Sequence, residues 1–231
     1  MLDALLDLLL PRTCAGCDAS GVALCDRCRA LLCSGARFVR PTPCPDGLAA
    51  CFAAGEYDGL LGRMVVAHKE RAAYPLARPL GLALAAAAEP VLDPVTPSVL
   101  VPVPSRPAVV RARGHDPMLR VSRVAAGLLR RGGNEVQVAR LLEQHAAVAD
   151  QAGLGSEQRA ANLSGSMRVR PVVRARLARL DVPLSLVLCD DVVTTGATAR
   201  EAQRALEQSG LRIRAVVTVA ATRRRFGATA T

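Results

Sequence analysis

Aromatic residues are scarce in this chain: Phe, Trp and Tyr make up 2% of its 231 residues, and Trp is absent. Proteins that hold single-stranded nucleic acid by base stacking need rings in series, so that mode of binding finds no support. Lysine is almost missing as well, Lys69 being the only one, and the other basic residues are arginines. Long hydrophobic runs are also lacking. The Ala-rich stretch 80–88 is closed by Pro79 and Pro90, far short of the roughly 20 apolar residues that span a bilayer. The opening MLDALLDLLL carries Asp3 and Asp7 and no basic leader, so the expectation is a short amphipathic helix packed on the body and not a signal peptide. On these grounds a cytoplasmic protein without a transmembrane segment is expected.

What is present suits a globular α/β protein. Half of the residues are apolar, and the length allows one ordinary domain with a small appendage and a sizeable core. The formal charge of +10 favours anionic partners such as polyphosphates or nucleic acid. A GC-rich coding preference for arginine on a solvated surface explains the same charge equally well.

Cys14, Cys17, Cys25 and Cys28 form a C-x2-C-x7-C-x2-C pattern. Each C-x2-C pair lets two sulfurs point to one side of a tight knuckle, and two knuckles supply four thiolates for a tetrahedral Zn2+. Disulfides are the competing reading, disfavoured in a reducing compartment. A closed four-thiolate site has no open position, so it would staple the fold and not catalyse. Cys33, Cys44 and Cys51 lack this spacing, and Cys189 sits in an apolar run and reads as core.

The chain is organised around LSLVLCDDVVTTGATAREAQRAL, residues 184–206. Leu184 to Cys189 has strand length, and Ala199, Ala202, Ala205 and Leu206 recur at helical spacing, so a strand, a tight loop and a helix are expected. Asp190 and Asp191 fall at the carboxyl end of the strand, where open α/β sheets put their ligands. Val193, Thr194, Thr195, Gly196, Ala197 and Thr198 follow at the mouth of the helix. Successive backbone N–H groups there, with hydroxyls nearby, would grip a phosphate. Two carboxylates beside such a cradle suit a phosphorylated sugar, because they accept from vicinal hydroxyls. A plain strand end, turn and helix cap would use the same residue types for local reasons.

Other elements are read more coarsely. Residues 49–62 suggest one or two strands with a turn at Tyr57-Asp58-Gly59, then a helix leading to His68-Lys69-Glu70, where Lys69 is either a phosphate contact or a surface lysine. Ser98 to Val103 reads as a strand running into Arg106, Arg111 and Arg113, whose forked donors suit a pyrophosphate. A helix is expected over 119–129, strands over 135–142 and 213–221, and an irregular polar segment over 143–167. The Arg223–Arg225 run reads as a solvated tail.

The order apolar run, Asp-Asp, Val-x-Thr-Thr-Gly-x-Thr resembles the phosphoribosyl-pyrophosphate (PRPP) signature of type I phosphoribosyltransferases. Together with the cysteine knuckles, VPVPSRPAVVRARGHD at 101–116 and QAGLGSEQRAANLSGSM at 151–167, it resembles the ComF family, which some bacteria use in DNA uptake. The pattern is met by Pro102, Pro104, Arg111, Arg113 and Gly114, and by Gln151, Leu154, Arg159 and Asn162. It departs at His115-Asp116-Pro117, where Phe-Asn-Gln is usual. It departs again ahead of Gln151, where relatives carry arginines and this chain has Glu143, Gln144, His145 and Asp150.

The resemblance implies a type I phosphoribosyltransferase fold over 46–231, a mostly parallel sheet flanked by helices, with an N-terminal helix and four-cysteine zinc module over 1–45. It implies PRPP bound with Mg2+: Asp190 and Asp191 on the ribose hydroxyls, Val193 to Thr198 on the 5′-phosphate, and Arg111 and Arg113 on the pyrophosphate. Transfer to an acceptor stays open, and the chain supplies no clear general base, His115 being equally a loop residue. The alternative is a non-catalytic, zinc-stapled adaptor for single-stranded DNA or a helicase, or a sensor of PRPP or another nucleotide.

Overall fold

The computed structural model of the protein describes residues 13–30, 32, 35–144, 165–173 and 183–222. The expected N-terminal helix, Cys33, His145, Asp150, Gln151, Leu154, Arg159, Asn162 and the Arg223–Arg225 run lie outside the described residues. Among the described residues six strands form one sheet in the spatial order β1 (Arg37–Val39), β2 (Cys51–Glu56), β8 (Ile213–Ala221), β7 (Ser185–Val193), β3 (Ser98–Pro102), β4 (Val136–Val138). All neighbours are parallel except β1, which runs antiparallel to β2. A separate antiparallel pair joins β5 (Leu142–Gln144) to β6 (Met167–Val169). The fold is α/β with a mostly parallel central sheet, as the sequence leads one to expect.

Helices cover both faces. α1 (Asp26–Ala30) belongs to the cysteine module, while α2 (Gly59–Glu70), α3 (Ala77–Ala88), α4 (Pro107–Arg113) and α5 (Pro117–Arg131) follow β2 and β3. α6 (Ala197–Glu207) connects β7 to β8. Side chains alternate along a strand, and β7 shows which face each serves. Val187 and Cys189 join the core that includes Met64 of α2, Leu84 of α3 and Val121 of α5. Leu186 and Leu188 join the core that includes Ala202 and Leu206 of α6. Because β7 is apolar on both faces it reads in sequence as a continuous run, the mark of a buried parallel strand.

Connectivity fixes where a ligand can enter. From β3 the chain steps outward to β4, whereas from β7 it steps the other way to β8. The connections therefore diverge at the carboxyl ends of β3 and β7, the topological switch point at which open α/β sheets leave a crevice.

Of the one or two strands open over 49–62 one forms, and the chain then enters α2, which Asp58 caps by accepting from Gly59 N (2.6 Å). Two local expectations are corrected. The strand expected over 135–142 is broken: Leu141 N donates back to Ala139 O (3.0 Å), and the chain turns from β4 into β5. β7 runs on through Val193, paired with Ala221, so the two aspartates lie on the strand and not beyond it. The Ala-rich run is a core helix, with Ala83, Leu84, Ala87 and Ala88 each at most 1% exposed. Among the described residues no helix is long and apolar enough to cross a membrane.

The N-terminal segments are tied to the sheet domain at two places. Arg63 of α2 donates to Ala15 O (3.0 Å) and to Gly16 O, gripping the first cysteine knuckle. Further along, Gln203 of α6 donates to Gly47 O (2.8 Å) and accepts from Ala49 N (2.9 Å), while Arg200 donates to Asp46 O (3.0 Å).

Candidate functional site

The period of two along β7 separates the two aspartates. Asp191 continues the line of Val187 and Cys189 toward α2, and Asp190 continues the line of Leu186 and Leu188 toward α6. Each carboxylate is steadied by the next amide: Asp191 N donates to Asp190 Oδ1 (2.9 Å) and Val192 N to Asp191 Oδ1 (2.8 Å). Asp191 Oδ2 lies 2.5 Å from Lys69 Nζ at the end of α2; beyond this ion pair it accepts no hydrogen bond. Burial and the neighbouring Asp191 carboxylate push Asp190 up to about 8, against the pull of Lys69. Burial opposes the Lys69 charge, but Asp191 and Asp190 outweigh it and hold the ammonium above the usual lysine range.

Both aspartates line a cleft of about 510 Å3. Its far wall is the β3 end, Val103 to Arg106, with Arg113 of α4, and its roof is the last turns of α2, including Lys69 and Glu70. Thr194 and Thr198 close the near side. Below them a recess of about 20 Å3 is lined by Asp190, Thr194, Gly196, Ala197, Thr198 and Thr218 among others, room for about one water or one phosphate oxygen.

Gly196 caps α6 with φ +72°, a left-handed conformation that L side chains avoid. A Cβ there would also lie 2.7 Å from Leu48 Cδ2 and 3.2 Å from Pro41 and Pro45. The backbone of the loop is thus pressed between the recess and the proline-containing segment 41–48. The first amides of α6 have no acceptor within the helix and carry its positive end.

The expected phosphate and pyrophosphate ligands are not all alike in position. Val193, Thr194, Gly196, Ala197 and Thr198 all border the recess, and Val193, 4% exposed, also packs against Ala53 and Ala221. Thr195 is half-buried and outside both linings. Arg113 lines the cleft and meets Glu70 (Nη2 to Oε1, 2.5 Å), whereas Arg111 is exposed and outside the lining. Glu70 and Tyr57, to which sequence reasoning assigns no role, also line it. Glu70 carried only the weak signal of following Lys69 at a helix end.

His115 is outside the cleft. It is 7% exposed and stacks edge-on against Tyr74 (4.7 Å) and His68 (5.4 Å). Arg113 O sits within reach of His115 Nδ1 (3.2 Å) and of Tyr74 OH (3.4 Å). Asp116 caps α5 by accepting from Leu119 N (3.2 Å), and Pro117 takes the first turn. His-Asp-Pro therefore serves as wedge, cap and helix start. Burial, with His115 and Arg120 adding to it, holds His68 below the usual imidazole range.

The four cysteines of the N-terminal knuckles converge, with all ligand atoms within 4.8 Å of one another. Cys17 Sγ and Cys25 Sγ are 3.7 Å apart, close to the edge of about 3.8 Å that a tetrahedron with 2.3 Å Zn–S bonds requires. Burial opposes the Cys14 thiolate, but donation from Cys25 N (3.3 Å) and Gly16 N (3.4 Å) brings Cys14 down to about 6. The sulfurs fit a four-coordinate metal ion. Elsewhere, burial and then Cys44 push Cys51 up to about 11, and burial pushes Cys189 up strongly, so both are core thiols.

No protein-family model matches the chain, and no curated protein matches it.

Proposed function

We propose that the cleft between the ends of β3 and β7 binds PRPP with its Mg2+, on a type I phosphoribosyltransferase fold of the ComF kind, and that the four-cysteine cluster holds a structural Zn2+. One observation carries the reading. A 510 Å3 cleft and the recess below it bring together a carboxylate pair, the amide-rich start of α6 and a cationic wall. These are three chemistries for the three parts of one ligand: hydroxyls, 5′-phosphate and pyrophosphate. Asp190 and Asp191 would meet the ribose hydroxyls and the substrate's metal ion. Thr194, Gly196, Ala197 and Thr198 would hold the 5′-phosphate, and Arg113 and Lys69 the pyrophosphate.

Transfer would break the C1′–O bond as an acceptor's lone pair attacks C1′, with pyrophosphate leaving with the bonding electrons. Positive charge then builds on the ribose ring, beside the two carboxylates, while Arg113 and Lys69 neutralise the leaving group. His115 is stacked in the elbow behind the cleft, so the acceptor's proton is not assigned to it.

Ligand that binds only the folded state raises the unfolding midpoint. Mg-PRPP is expected to raise that of the wild type by several degrees and that of Asp190→Ala/Asp191→Ala not at all. Equal shifts in both proteins would remove the acids from the site. A second reading, an adaptor for single-stranded DNA, draws on the +10 charge. It calls for DNA affinity that falls steeply with salt and survives loss of both aspartates.

A further inference from the structure

Lys69 and Glu70 are consecutive at the end of α2 and reach opposite walls of the cleft. Lys69 extends to Asp191 on β7, and Glu70 to Arg113 on α4, each at 2.5 Å. Consecutive helical residues diverge by about 100°, so one helix end spans the opening and neutralises one charge on each side. The backbone of Arg113 is fixed independently, its carbonyl in contact with Tyr74 OH and His115 Nδ1. Its side chain is the part that can change partner. The Glu70 side chain is 54% exposed and that of Arg113 21%: the carboxylate reaches in from solvent to a more enclosed guanidinium.

We propose that Glu70 is a built-in competitor for the anion-binding arginine of the cleft, holding Arg113 in the ligand-free protein until a pyrophosphate group displaces it. This rests on the reading of the cleft as a pyrophosphate-holding site. A half-exposed ion pair contributes little, so the exchange is easy: Glu70 returns to water, and the guanidinium takes two oxygens of a diphosphate in its forked geometry. The consequence has a sign that separates Glu70 from its neighbours. Removing Lys69, Arg113, Asp190 or Asp191 weakens binding of the whole ligand, whereas removing the Glu70 charge strengthens binding of its diphosphate end.

The test is a titration of inorganic pyrophosphate into the wild type, Glu70→Gln, Arg113→Met and the double variant. Glu70→Gln is expected to bind up to about five-fold more tightly, Arg113→Met more weakly, and the double variant no better than Arg113→Met. Unchanged or weaker binding by Glu70→Gln would overturn the proposal. So would an undiminished gain in the Arg113→Met background, which would mean general repulsion and not competition. A second measurement needs no ligand: rotation of the Arg113 guanidinium, followed by nitrogen NMR, is restricted in the wild type and released in Glu70→Gln, and equal rotation in both overturns the pairing. Failure of Mg-PRPP to bind the wild type would instead sink the reading of the cleft, with the Arg113 rotation still deciding the pairing.

Discussion

Asp190 sits where burial and a second carboxylate both disfavour its charge, which pushes its carboxyl up to about 8. The sign for stability follows from linkage. Between the ordinary value of 3.8 and about 8 the folded state holds a proton that the unfolded state has released. Stability from this group is fully present below the lower value and is lost as pH rises through the upper one. Asp190→Asn is therefore expected to raise the unfolding midpoint at pH 9 by several degrees and to leave it nearly unchanged at pH 4, measured by thermal melts. An equal effect at both pH values would contradict this environment. The aspartate pair was legible in sequence because acids directly after an apolar run mark a strand's ligand end. That they point to opposite faces follows only once the strand extends through Val193. Glu70 was not legible, because its partner Arg113 is brought near by the fold and no periodicity links them.

At the scale of elements, the strand, loop and helix from Ser185 to Glu207 need a support from elsewhere in the chain. Gly196 is held in a left-handed turn with Pro41, Pro45 and Leu48 directly above it, and Arg200 and Gln203 hold the backbone of 46–49 in place. Gly196→Ala combines an unfavourable φ with a clash, so it is expected to cost about 1–3 kcal/mol in denaturant unfolding. It should also weaken binding of ribose 5-phosphate. A stability loss with phosphate affinity unchanged would show that the loop backbone plays no part in the site. The glycine was readable as a turn residue, but its cover was not, because nothing in the stretch 41–48 marks it as a partner of α6. The strand misjudged over 135–142 has a similar cause: Val136, Val138, Leu141 and Leu142 are all apolar, yet the strands they flank or form belong to two different sheets.

Across the whole molecule, the cysteine module and the cleft share α2. Arg63 grips the first knuckle, and Lys69, on the same helix, reaches the aspartates. A four-thiolate metal site contributes its binding energy to folding. Cys14→Ser/Cys17→Ser is expected to lose the bound metal, measured by a chromophoric chelator after thiol displacement, and to melt several degrees lower; retained metal would contradict the assignment of those ligands. The knuckles were legible because the C-x2-C spacing rule is local. Their docking on α2 was not, since it depends on one arginine meeting two backbone carbonyls.

The most direct measurement is calorimetric titration of Mg-PRPP into the metal-loaded wild type and into Asp190→Asn/Asp191→Asn. Saturable binding in the wild type that disappears in the variant, while the variant remains folded by circular dichroism, is the expected result. Binding of equal strength in both proteins, or none in the wild type, would contradict the assignment of the cleft.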